Sequence, residues 1–340
     1  DVCSSDLYSK KHDFPKTTSS SSHGPNGGLI QTSSGTLYGM TSGNEEHPAT
    51  LYAYDIIAGN LKEEIIFNSF ENGAYPAGRL LETANGKLYG LTYEGGVSNN
   101  GVLFEFNPQT KVYSKKYEFA IASEGNLPNA GPIQASNGKI YATTIAGGLN
   151  YYGVIFEFDP GTGNYVKKSD FDVLSGQYPG ALTEIAEKLY GTISDGGVYR
   201  SGTIFEFNFS TGSILKKIDL KHDIDGSRSH SLTKSPNDIL FGTATNGGVN
   251  ESGTIFKFNP KTGEFLKIHD FNKLNGSHPN GGLIYTNNLT TGDIFDSKKL
   301  SLSIHPNPTS QSLTVSFGDD LSKKVVSLYQ LNGKRMDWKE

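Results

Sequence analysis

The chain has 340 residues and a mass of 36.8 kDa, a length that admits two or three ordinary domains or one large repetitive one. Apolar residues make up 35%, Gly contributes 41 and the net charge is −5; so much Gly would weaken helix interiors by about 1 kcal/mol per site relative to Ala, which excludes a helical fold, whereas hairpin turns take Gly at no steric cost. The acidic balance without long basic runs excludes a nucleic-acid or membrane-surface binder. No apolar stretch approaches the ~20 residues that cross a bilayer as a helix.

The opening residues Asp1 to Leu7 resemble a translated sequencing adapter and are set apart from the fold. With them goes Cys3, the single cysteine, leaving neither a disulfide nor a thiolate metal site. The next element is a lone strand, Tyr8 to Phe14, carrying Lys10-Lys11-His12-Asp13-Phe14.

From Pro25 to Phe271 the chain repeats itself about every fifty residues. Leu37-Tyr38-Gly39 recurs as Leu88-Tyr89-Gly90, Ile140-Tyr141-Ala142, Leu189-Tyr190-Gly191 and Leu240-Phe241-Gly242. A second marker is Gly101 to Phe106, Gly153 to Phe158, Gly202 to Phe207 and Gly253 to Phe258, with Thr50 to Tyr54 as a degenerate first copy. A third, basic then acidic then apolar, ends at Phe119, Phe171, Leu220 and Phe271; a fourth, Pro followed by Gly and Leu or Ile, opens the units at Pro25, Pro76, Pro179 and Pro279. Four short apolar or alternating runs per unit, separated by Gly, Asn, Pro and Ser, are strands and turns, and four strands per ~50 residues is the period of a β-propeller blade of the kelch size. Asn85-Gly86 and Asn137-Gly138 are expected as type I′ hairpin turns. Leu182 to Tyr190 looks helical alone, yet aligns with Leu81 to Tyr89 and is assigned the same hairpin. Pro279 to Thr286 is a lone first strand, expected to share a closing blade with Tyr8 to Phe14 and remove an exposed sheet edge, in an intact protein of at least six blades.

A polar linker, residues 287–299, then leads to alternating runs Leu300 to Ile304, Leu313 to Phe317 and Val325 to Tyr329, which suggest a small, incomplete β-sandwich over residues 300–340. The expected fold is therefore all-β, with a propeller over residues 8–286 of five complete blades and a partial one. The segment from Leu302 to Met336, with Pro306-Asn307-Pro308, Leu313-Thr314-Val315 and Asn332-Gly333-Lys334, resembles the C-terminal sorting domain of the type IX secretion system. His305 departs from the aromatic usual there, and the chain stops at Glu340 before that family's last strands. The Leu-Tyr-Gly and Gly-Gly…Gly-Thr-Ile-Phe pattern over Pro25 to Phe271 resembles the choice-of-anchor GloVer repeat. These resemblances imply a protein exported to the cell surface or exterior of a Gram-negative bacterium, with the secretion machinery as a partner, and no catalytic residues are implied.

The paired glycines before each third strand (Gly95-Gly96, Gly147-Gly148, Gly196-Gly197, Gly247-Gly248) lack the helix and Lys of a phosphate loop and are read as hairpin glycines. Repeated positions hold a scaffold, so function belongs where units differ. The loops between second and third strands and between blades emerge on one face and carry Tyr75, Tyr151, Tyr152, Tyr178, Tyr199, Arg200 and Glu251, a set suited to stacking on sugar rings and bonding hydroxyls. In the polar loop His222 to His230, His230 is placed where other units have Pro. Asp223 and Asp225 offer a weak Ca²⁺ pair without the further oxygen ligands required; a surface turn explains them. Glu94 and Asp195 occupy equivalent loops and are the weak lead for a carboxylate pair, which a glycosidase needs ~5 to 9.5 Å apart. No cofactor is implied. The leading expectation is a monomeric, non-catalytic surface propeller binding a glycan or protein; the alternatives are a polysaccharide hydrolase or lyase and a structural surface-layer component.

Overall fold

The computed structural model describes Phe14, residues 24–43, 47–68 and 70–286, and the strand segments 299–304, 313–318, 327–329 and 335–336. Its regular structure is almost entirely β. Blade one comprises β1 (Pro25–Gln31), β2 (Leu37–Thr41), β3 (Thr50–Asp55) and β4 (Asn60–Ile66); blade two β5 (Ala74–Glu82), β6 (Leu88–Glu94), β7 (Val102–Asn107) and β8 (Val112–Glu118). In blade three the inner strand is split into β9 (Asn126–Pro128) and β10 (Ile133–Gln134), followed by β11 (Ile140–Ala146), β12 (Val154–Phe158) and β13 (Tyr165–Asp170). Blade four is likewise split, with β14 (Gln177–Pro179), β15 (Thr183–Ile185), β16 (Lys188–Asp195), β17 (Thr203–Asn208) and β18 (Ser213–Asp219). Blade five holds β19 (Leu232–Lys234), β20 (Leu240–Ala244), β21 (Thr254–Phe258) and β22 (Phe265–Asp270). All pairings are antiparallel, between neighbours in sequence except where the split inner strands also pair β9 with β11 and β14 with β16, and the sheets stand in a ring as a β-propeller, as the period requires.

The markers now have physical reasons. Phe104, Phe106, Phe156, Phe158, Phe205 and Phe207 are buried in clusters that each join two consecutive blades. The Gly of Leu-Tyr-Gly makes room for the third-strand ring: a Cβ on Gly90, Gly191 or Gly242 would lie 2.3, 2.5 and 2.4 Å from the Cζ of Phe104, Phe205 and Phe256. The Tyr of the motif donates its hydroxyl to the Glu between the phenylalanines, Tyr89 to Glu105 and Tyr190 to Glu206, and Lys87 and Lys188 close the same carboxylates at 2.9 and 2.5 Å. Burial opposes ionisation of Glu105 and Glu206, but the Tyr and Lys partners overcome it and hold both below the usual carboxylate value. Blade five replaces the pair together, with Phe241 for Tyr and Lys257 for Glu.

Phe14 packs on Tyr52 at 5.5 Å, the contact that Phe67, Phe119 and Phe171 make with Phe104, Phe156 and Phe205 of the blade after their own. Phe14 therefore stands toward blade one as those phenylalanines stand toward the blades after theirs; the strand expected over residues 8–13 lies outside the described residues. The other half of the expected closing blade differs. β23 (Leu283–Thr286) follows β19 as the next inner strand, with Thr233 donating to the Leu283 carbonyl at 2.6 Å. It pairs with β24 (Lys299–Ile304), and β25 (Leu313–Gly318), β26 (Ser327–Tyr329) and β27 (Arg335–Met336) continue one sheet. The C-terminal strands thus extend the sheet that β23 begins, instead of folding back as a second layer of a separate sandwich. An unpaired β23 would present a row of bare amides, and the alternating run at 299–304 satisfies them.

The Asn-Gly pairs are corrected as well. Asn85 and Asn137 do not have positive φ. The Gly86 N–H bonds to the Thr83 carbonyl at 2.8 Å and the Thr83 N–H to the Lys87 carbonyl at 2.9 Å, a three-residue loop in which only Gly86 is left-handed. The Asn85 carboxamide oxygen, used by Thr83 and Lys87, holds that form. The two-residue turn falls instead at Ala186 (φ 49°) and Glu187 (φ 61°), between Ile185 and Lys188, so Leu182 to Tyr190 is the hairpin that the repeat register dictates.

Candidate functional site

Two kinds of loop meet on one face, here called the top: those joining second to third strands within a blade, and those joining one blade to the next. Their frame is invariant. In four blades both loop glycines have positive φ, and the following N–H, on Val97, Leu149, Val198 or Val249, bonds to the acidic residue ending the fourth strand, Glu118, Asp170, Asp219 or Asp270, at 2.8–3.1 Å. Lys167, Lys216 and Lys267 pair with those aspartates at 3.0, 2.9 and 2.6 Å, and Lys115 with Glu118. Backbone amides that could cradle an anion are thus spent on the protein's own carboxylates, and the hairpin reading of the glycines stands.

On this frame sit two rings of left-handed residues that are not glycine. At the loop tips are Asn99, Tyr151, Arg200 and Glu251 (φ 52–61°); on or just before the inner strands are Tyr75, Leu127, Tyr178, Arg228 and His278 (φ 51–61°). Left-handed backbone costs an ordinary residue roughly 1–2 kcal/mol, and Gly or Asn avoids most of it. The rings interlock. The Leu127 N–H bonds to the Asn100 carbonyl, and the His278 N–H to that of Ser252, each at 2.8 Å. An inner-ring residue therefore lies against the residue following the loop tip of the preceding blade.

Tyr75, Tyr151, Tyr178, Arg200 and Glu251 all belong to these rings, and Tyr151 is 76% exposed. Tyr152, adjacent, is half-buried and packs on the core between blades three and four. Tyr199 is exposed, with the Lys221 ammonium 5.1 Å from its ring centre. Ser229, not His230, stands at the Pro position, because left-handed Arg228 aligns with Tyr178 and His278, each followed by Pro. The Asp223–Asp225 pairing also fails: the Asp225 carboxylate accepts the Lys221 N–H at 3.0 Å, within its own turn. The cluster that could hold a metal ion is instead His222, Asp223 and Glu251, and there His222 Nε2 is already 2.9 Å from Glu251 Oε2. Glu94 lies opposite Ala74 in blade two and Asp195 opposite Gln177 in blade four, with all of blade three between them. Sequence reasoning missed Leu127, Arg228 and His278; the available signal was the residue before the recurring Pro.

Exposed apolar side chains crowd the same face, with Phe70, Ile121, Val173 and Leu274 in blade-to-blade loops and Leu149 and Val249 at loop tips. Among the described loops of the opposite face, Ile56 and Ile57 are the exposed large apolar residues. The axis beneath is tight. A Cβ on Gly27 would lie 2.0 Å from the Gly78 carbonyl oxygen, on Gly78 2.0 Å from the Gly131 nitrogen, and on Gly180 2.1 Å from the His230 oxygen; Ala181 donates to His230 at 3.0 Å. Inner strands of these neighbouring blades thus approach to backbone contact.

A family model described as a Gloeobacter/Verrucomicrobia repeat matches residues 3–137 and 122–299. No curated protein matches the chain. Among solved structures, a candidate 6-phosphogluconolactonase from Bacteroides uniformis is similar at 15% identity and TM-score 0.57, over 88% of this chain and 82% of that one. The extracellular domain of a candidate hybrid two-component system from B. thetaiotaomicron is similar at 12% identity and TM-score 0.56, over 92% of this chain and 37% of its own. TolB from Acinetobacter baumannii shows 16% identity and TM-score 0.48 over 82% of this chain, which spans 62% of TolB. At these identities the two likenesses above 0.5 are of fold.

Proposed function

The chain belongs to the Gloeobacter/Verrucomicrobia repeat family, and on that premise we propose that it is a surface or secreted β-propeller that binds a glycan or protein through its top face without chemical turnover. One observation carries the reading: large, differing side chains occupy left-handed backbone positions that recur from blade to blade. Strain kept where Gly would relieve it points to side chains retained for contact. Repeated interactions hold the blades, which leaves these differing side chains for contact. Export through the type IX machinery follows from the sorting resemblance; Pro306, Asn307, Pro308, Gly333 and Lys334 lie outside the described residues. An extracellular or outer-membrane site accords with that resemblance.

The test is a screen of glycans and surface extracts against the wild type, a Tyr151→Ala/Tyr199→Ala variant and an opposite-face Ile57→Ser control. Binding should fall only in the first variant, each stacking aromatic contributing about 0.5–1.5 kcal/mol. Incubation with plant, algal and bacterial polysaccharides should release no reducing ends. Release abolished by Glu94→Gln or Asp195→Asn would establish a hydrolase or lyase instead.

A further inference from the structure

Resting on that reading, we infer that the part of the top face spanning the junctions of blades three to five is a site for an anionic glycan. The sugar rings lie on Tyr151, Tyr152 and Tyr178, and a carboxylate or sulfate is taken by Arg200 and Arg228.

The register of the two rings brings this about. The bonds from Leu127 to Asn100 and from His278 to Ser252 set an inner-ring residue beside the residue after a loop tip. At the junction of blades three and four the corresponding residues are Tyr151, Tyr152 and Tyr178. At the next junction they are Arg200, Ser201 and Arg228, and there the Ser194 hydroxyl of blade four bonds to the Ser229 carbonyl at 3.2 Å, tying down the segment that carries Arg228. If the same register holds at these two junctions, the repeat sets aromatic residues at one and guanidinium residues at the next, although they are 27 or 28 positions apart in the chain.

The arginines themselves are the second observation. The chain's arginines are Arg79, Arg200, Arg228 and Arg335, its other cations being lysine. Two of them therefore fall at one junction, both on left-handed backbone. Among the described residues every acidic partner in an ion pair is matched by Lys or His, and neither arginine is so engaged. Of the acids in the adjoining loops, Asp219 is held by Lys216 and the Val198 N–H, Asp225 by the Lys221 N–H, and Glu251 by His222, with Asp223 beside them. Lys221, lying over Tyr199, adds a third cation beside Arg200. Lysine would serve general solubility. A planar fork that meets a carboxylate or sulfate with two parallel hydrogen bonds is arginine's particular property. Uncharged glycans use the tyrosines but leave this pair unmatched.

The full chain is to be titrated with polygalacturonate, a sulfated galactan, an uncharged glucan and duplex DNA. At least one anionic glycan should bind more tightly than the glucan and weaken as salt rises; the carboxylate and sulfate arms identify which group is read. Arg200→Gln/Arg228→Gln should lose about tenfold or more of that affinity while keeping the melting temperature, and Tyr151→Ala/Tyr178→Ala should weaken anionic and neutral glycans alike. Unchanged anionic binding in the arginine variant, preference for the glucan, or equal binding of DNA would overturn the inference. Glucan binding lost only in the tyrosine variant would leave the top face a binding surface while refuting its anionic specificity, and no glycan binding at all refutes the inference, with the surface screen above deciding the broader reading.

Discussion

The two faces of the propeller use the same backbone conformation for opposite ends. On the bottom, left-handed residues turn the chain and most are Gly: Gly35, Gly86 and Gly138 in the inner hairpins, Gly59, Gly163, Gly212 and Gly263 in the outer ones, with Asp238 and Lys111 at the same positions in other blades. On the top the loop glycines are left-handed too, but two further recurring positions carry left-handed Asn, Tyr, Leu, Arg, Glu and His. In the proposed reading, strain kept from copy to copy of a position marks a side chain retained for contact. The bottom half also carries the Tyr–Glu–Lys networks that hold neighbouring strands, so stability and variability are segregated along the axis.

The sharpest break of that division would come from the axis that both faces share. Gly78→Ala places a Cβ 2.0 Å from the Gly131 backbone nitrogen, which no rotamer change relieves, and should destabilise by about 3 kcal/mol or more. Gly86→Ala, with nothing within 4 Å of its Cβ, should cost only the roughly 1–2 kcal/mol of left-handed backbone. Urea denaturation of the pair compares them.

One bottom-face turn sharpens the comparison from the other side. Ala186 and Glu187 are both left-handed without Gly or Asn, on the face away from the proposed site. Ala186→Asn/Glu187→Gly should therefore stabilise by about 1–2 kcal/mol, read as a raised urea midpoint with no change in ligand binding.

Acid should loosen the blades unequally. Glu105 and Glu206 are held below their ordinary value by Tyr and Lys partners; the stability they confer is complete above the unfolded value of about 4.3 and is lost as pH falls through the lower folded values. Blade five, with Phe241 and Lys257 in their place, has no such pair to lose. Hydrogen exchange on acidification should rise in β7 and β17 before β21.

Blade number, strand order and core were legible in the sequence because each strand repeats at a fixed period, and a repeat reports packing. It overruled the helical look of Leu182 to Tyr190 correctly. Turn geometry was less legible: Asn-Gly alone does not say whether the Asn side chain will fold back on Thr83. Five of the seven candidate residues, chosen because they differ between units, fall on the left-handed rings, whereas Arg228 was masked by a one-residue misplacement of His230. The pairing of β23 with Lys299–Ile304 was hidden because the repeat ends there and register carries no further information.

The most direct measurement replaces Tyr151, Tyr178, Arg200 and Arg228 together by Gly and records both melting temperature and glycan affinity. Relief of left-handed strain, offset by the entropy of Gly, leaves about 0.5–1 kcal/mol of gain at each position, so the account predicts a chain that melts higher and binds no glycan. A variant that melts lower than wild type, or one that binds as well, would contradict the claim that these side chains are kept for contact at the expense of stability.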